Sequence, residues 1–130
     1  MKKISVIIVA ILFMACRAGS EFNPATEAQE AGREFIRASL DGDIKKAEYF
    51  LLKNEENTYL FNKWKDQYRQ LSPVEKTEYR KAQIRPIRIE EINDSLVKYS
   101  FSNSYKTEDT TVISIVKKDD IWLVDLKDIH

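Results

Sequence analysis

Across 130 residues, 21 Lys and Arg balance 21 Asp and Glu at zero formal charge, and the chain holds one Cys and one His. That length suits a single domain with one core, and the balanced charge lacks the basic excess of a nucleic-acid-binding face. A lone Cys closes no intrachain disulfide, and one Cys with one His falls short of a structural zinc site, so neither a cofactor nor a nucleic acid is expected.

Lys2 and Lys3 precede an apolar run from Ile4 to Ala15, broken only by Ser5, and Cys16 follows. As a helix such a run reaches about 18 Å, well short of the ~30 Å hydrocarbon core. The basic start and short apolar stretch predict a signal peptide over residues 1–15 rather than a membrane span. Phe13-Met14-Ala15-Cys16 resembles the lipobox of bacterial lipoproteins, although Leu and a small residue are more usual where Phe13 and Met14 stand. The resemblance implies a diacylglycerol thioether on Cys16, usually with an N-acyl chain, and two or more chains anchor a protein stably. The partner so implied is the membrane, reached through the lipid and not crossed. Arg17 is not the Asp associated with inner-membrane retention in enteric bacteria, and residues 17–21 form no acidic export run. The expected place is therefore the cell envelope, at the outer membrane facing the periplasm, with surface exposure as the variant. The rival is ordinary cleavage after Ser20, using Ala18 and Ser20, which would release a soluble secreted protein.

Residues 16–23 form a polar tether, and residues 24–130 a single domain. Asn23-Pro24 predicts a helix start, with Asn as cap and Pro in the first turn. Ala28, Ala31, Phe35 and Ala38 then recur at helical spacing, with Ile36 and Leu40 widening the stripe. Gly42 is a natural stop, and Asp43 a natural cap for a second helix carrying Ile44, Ala47 and Leu51. Asn54 opens a third, in which Leu60, Trp64, Tyr68 and Leu71 repeat at four, four and three. Ser72-Pro73-Val74-Glu75 reads as a capping box opening a short helix to about Ala82.

From Ile84 the period changes to two. Ile87 and Ile89 alternate with polar residues, and Asn93-Asp94-Ser95 is a turn. Val97, Tyr99, Phe101 and Tyr105 face one way, opposite Lys98, Ser100, Ser102 and Ser104. Thr110 to Val116 is β-branched, Lys117 to Asp120 is a polar turn, and Trp122, Val124 and Leu126 alternate to the end. Short connections favour antiparallel hairpins, so the expected fold class is α+β, with N-terminal helices packed on a curved C-terminal sheet of about four strands.

Phe35 to Ala47, a helix ending in Gly42-Asp43 before a second helix begins, is similar to the opening of NTF2-like domains. Lys118 to Leu126, a polar turn followed by Trp122 and alternating apolar residues, resembles their terminal hairpin, though without the common turn glycine. The whole resembles the small DUF4878-type bacterial lipoproteins with a cystatin-like α+β domain. The resemblance implies a cone of sheet around helices, used by some relatives as an enzyme pocket and by others only for binding. The fold by itself does not choose between them.

An isomerase-like or dehydratase-like reaction in an apolar cone needs a carboxylate base beside a buried acid, and no spacing here brings such a pair together. His130 is terminal, and no nucleophile elbow or phosphate loop surrounds the three glycines. Asp41-Gly42-Asp43 lacks the later ligands of a calcium loop and reads as two helix caps. The informative residues are aromatic: Phe35, Trp64, Tyr68, Tyr99, Phe101 and Trp122 either fill the core or line a pocket for an apolar ligand. The expected function is a non-catalytic module binding a small apolar molecule or an envelope protein. An apolar-pocket enzyme is the alternative. A cystatin-like inhibitor ranks last, since no Gln-x-Val-x-Gly segment is present.

Overall fold

The computed structural model describes residues 21–129. The expected signal peptide over residues 1–15, the expected lipid site at Cys16, most of the expected tether and His130 lie outside them. Among the described residues four helices come first, α1 (Ala28–Asp41), α2 (Ile44–Tyr49), α3 (Glu55–Arg69) and α4 (Pro73–Lys81). Four strands follow, β1 (Ile84–Asn93), β2 (Leu96–Asn103), β3 (Thr111–Lys118) and β4 (Ile121–Asp125). They form one antiparallel sheet in the order β1-β2-β3-β4, which does not close on itself. The fold class is α+β.

Helix α1 supplies the covering layer. Its buried residues Ala31, Phe35, Ile36, Ala38 and Leu40 lie against Val97, Tyr99, Ile113, Ile115 and Val124 from the strands. Each large aliphatic side chain so buried contributes about 1.5–3 kcal/mol. The helix begins at Ala28, with Glu27 as cap, and not at Pro24. Ala25 is the cause: its carbonyl accepts the Trp122 N–H at 3.1 Å, drawing the chain before the helix into extended pairing with β4. Gly32 lets helix and sheet approach, because a Cβ there would stand 2.8 Å from Ile115 Cδ1. Arg37, half-buried on α1, donates to the carbonyls of Ala82 (2.7 Å) and Arg80 (2.9 Å). Its charge thus satisfies the carbonyl end of α4.

Several boundaries follow their caps. Gly42 ends α1 at φ 73°, a left-handed conformation that glycine adopts without a Cβ penalty. The carboxylate of Asp43 accepts from Lys46 N, and the Asn54 side chain accepts from Asn57 N. Ser72 and Glu75 make the reciprocal capping box, with Pro73 in the first turn.

Other expectations are corrected. Leu51 lies beyond α2 and pairs with Val124 in a parallel bridge, because Phe50 O and Leu52 N bond Val124 across the free side of β4. In α3 the deepest positions are Asn57 and Phe61, which the stripe of Leu60, Trp64, Tyr68 and Leu71 omits; Leu60 and Trp64 are half-buried and pack against the core beside them. Lys117 and Lys118 belong to β3, and the turn is only Asp119-Asp120, with φ of 52° and 67°. Two positive φ values describe the tight hairpin turn whose twist matches the strands. Ser102 and Ser114 are buried on the sheet's second face. Ser114 is covered by the carboxylate of Asp128, which also meets Lys98.

Candidate functional site

Antiparallel pairing sets which side chains share the helix-covered face. Glu91 faces Val97, Val97 faces Ile115, and Ile115 faces Val124. One row therefore runs from a carboxylate into the aliphatic core. The next row holds Ile89, Tyr99 and Ile113. Trp122, two residues before Val124, points to the same side.

Where this face passes the start of α1 it is left uncovered, and a cleft of about 460 Å³ opens between Thr26, Glu27, Ala28 and Gln29 above and Ile89, Glu91, Val97 and Trp122 below. Asn93 and Asp94 of the β1–β2 hairpin close one end. The volume lies in the range of small-ligand sites. Its character is mixed: Ile89, Val97 and Trp122 give an apolar floor, and Glu27, Glu91 and Asp94 are exposed carboxylates at its margin. Lys117 Nζ sits 5.9 Å from the Trp122 ring on the opposing strand, within range of a cation–π attraction.

The six aromatic candidates do not converge. Phe35 and Tyr99 are buried in the core. Phe101 is half-buried and meets the Tyr99 ring edge-on, with centroids 6.0 Å apart. Trp64 stacks on Phe61 at 5.4 Å and lies 5.6 Å from Tyr68, while Tyr68 covers Gly42. Of the six, Trp122 alone lines the cleft. The remaining lining residues escaped the sequence reading. A carboxylate at the inward position of Glu91, two residues past Ile89, was the one available signal.

The titrating groups with displaced values lie elsewhere. Burial pushes the Tyr99 phenol up against the lowering influence of Arg33, and burial likewise raises Tyr79 against Lys106. Hydrogen bonds from Lys98 and then Ser114 hold the Asp128 carboxyl below the ordinary Asp range. Asp41 and Asp43, the residues of the Asp-Gly-Asp segment, accept from Arg37 and from the Lys46 backbone. Among the described residues no three His, Cys, Asp or Glu side chains gather as metal ligands, and no helix is long and apolar enough to cross a membrane.

Comparison with known protein families, with curated proteins and with solved structures found no match.

Proposed function

We propose that this chain is a lipid-anchored protein of the bacterial envelope, attached through Cys16, whose α+β domain acts by binding at the cleft beside Trp122. The anchorage rests on the basic start, the apolar run from Ile4 to Ala15 and the sole cysteine at its end. The observation that carries the binding reading is the filling of the space under α1. Phe35, Ile36, Tyr99, Ile113 and Ile115 occupy it, and the cleft lies open to solvent beyond them. Acid–base catalysis draws on carboxylates tuned by a dry pocket, whereas Glu27, Glu91 and Asp94 stand exposed. An apolar floor rimmed by three carboxylates suits a segment that carries apolar side chains and positive charge.

Two experiments test the two halves. A palmitate label should enter the wild-type chain and not Cys16→Ser, and globomycin should cause precursor to accumulate. A soluble product cleaved after Ser20 would overturn the anchor. In a Trp64→Phe background, Trp122 emission should shift with a short Lys–Leu peptide and not with its Glu–Leu counterpart. The shift should disappear in Glu27→Lys/Glu91→Lys, and equal responses to both peptides would overturn the binding reading.

A further inference from the structure

Strand β1 is a lateral edge of the sheet, and the two edges are treated differently. The far side of β4 is bridged by Ala25 and by Leu51, while among the described residues nothing pairs with the outer side of β1. An unpaired strand edge presents a row of N–H and C=O groups ready to accept another strand. β1 adds apolar surface to that row, since Ile87, Ile89 and Ile92 are 56, 37 and 46% exposed. Its charges are also polarised along the strand: Arg85 and Arg88 occupy the first half, and Glu90 and Glu91 the second.

We propose that β1 pairs with β1 of a second copy of this chain, antiparallel about a two-fold axis at Ile89, merging two sheets into one. A strand basic at one end and acidic at the other is complementary to itself when reversed, which is what an isologous two-fold contact demands. The register follows from faces and charges together. Arg88 and Glu90 lie opposite Ser100 and Lys98 on one face of the sheet, and Ile89 lies opposite Tyr99 on the other. With the axis at Ile89, each Arg88 faces Glu90 of the second copy, and the two Ile89 side chains meet on the helix-covered face. Moving the axis to Arg88 sets two guanidinium groups face to face, and moving it to Glu90 sets two carboxylates face to face. A one-residue slip puts side chains of opposite faces in register, which pairing does not allow.

The exposed contact between Arg88 and Glu90 within each chain, at 3.3 Å, would be exchanged one for one, two within the copies giving way to two between them. Pro86 offers no N–H, and irregularities between Pro86 and Arg88 and between Glu91 and Asn93 bound the regular stretch. The ladder is therefore short, and association should be reversible and concentration-dependent. Ile89 also lines the cleft, so each copy would bring its Ile89 to the margin of the other's cleft. The pairing does not rest on what the cleft binds.

Sedimentation of the full-length chain in detergent should show a monomer–dimer equilibrium. Glu90→Arg turns both cross-chain attractions into repulsions and should weaken dimerisation by about tenfold or more. Arg88→Glu/Glu90→Arg restores opposite charges across the axis and should recover it. Under mild oxidation, Ile89→Cys should give a disulfide-linked dimer well above the level of Tyr59→Cys, which presents a thiol on the exposed face of α3. A single monomer mass at concentrations on the order of 1 mM would overturn the proposal. So would unaltered dimerisation in Glu90→Arg, failure of the double variant to recover, or an Ile89→Cys variant that cross-links chiefly to a different protein.

Discussion

Asn57 is the residue through which α3 is fastened to the sheet, and removing its amide should cost more than any surface change on that helix. It is fully buried. Its Oδ1 accepts the Leu126 N–H at 2.9 Å and its Nδ2 donates to the Leu52 carbonyl at 2.9 Å. Asn57→Ala leaves the Leu126 N–H without a partner at a site only 4% exposed, a penalty of about 1–3 kcal/mol. Leu52 is half-buried, so water reaches its carbonyl and the loss there is smaller, about 0.5–1 kcal/mol. The total is about 1.5–4 kcal/mol, a large share of the ~5–15 kcal/mol that holds a domain folded. Urea unfolding followed by circular dichroism at 222 nm should show the midpoint fall with the slope unchanged. Asn54→Ala is the comparison, because it removes an exposed cap three residues away and should cost about 1 kcal/mol. If Asn57→Ala costs no more than Asn54→Ala, the amide is not what joins α3 to the end of β4, and the reasoning fails.

Three further outcomes follow from the same structure. Gly32→Ala would stabilise an exposed helix by about 1 kcal/mol, but here its Cβ meets Ile115 and Tyr99 at 2.8 and 3.3 Å. A net loss of about 1 kcal/mol is expected, larger for Gly32→Val, and a rise in melting temperature for Gly32→Ala would show that the contact relaxes freely. Asp120→Gly relieves a left-handed residue at φ 67° and should stabilise the β3–β4 hairpin by about 0.5 kcal/mol, read as a higher urea midpoint. A lower midpoint would mean that the Asp120 side chain contributes more than its backbone strain costs. Asp128 titrates below its ordinary value when folded, with Lys98 as the first cause. Its contribution is therefore complete above the unfolded Asp range and lost as pH falls through the folded value. Asp128→Asn should cost about 0.5–1 kcal/mol at pH 7, with the gap closing below about pH 4. A gap independent of pH would assign the effect to packing instead.

The sequence is most legible where one local interaction decides the outcome. Asp43, Asn54 and Ser72 cap their helices because a short side-chain acceptor next to free backbone N–H groups needs no distant partner. Gly42 ends α1 for a similarly local reason. The start of α1 is not legible in this way, because Asn23-Pro24 is a sound local signal that a distant partner overrides. Trp122 claims the Ala25 carbonyl across nearly a hundred residues of chain. Leu60 and Phe61 both fit a helical stripe, and only in the fold is Phe61 buried while Leu60 packs half-buried beside it.

The cleft is the least legible part of the molecule. Its walls come from residues before α1, from the β1–β2 hairpin and from β4, and no spacing within one element brings them together. The alternating pattern of β1 has the same weakness, since period two indicates that one face differs from the other but not that anything covers it. Ile89 stays partly exposed because α1 lies mainly across β3 and β4, while Ile87 and Ile92 fall at the two irregularities of β1. By itself the amino-acid sequence determined the order of helices and strands, the caps at Gly42, Asp43, Asn54 and Ser72 and the α+β class, because propensity, capping and periodicity act over a few residues. The tertiary structure decided which residues of α3 are buried deepest, which sheet edge is closed and where the cleft lies, because those depend on how far one helix reaches over a sheet assembled from distant segments.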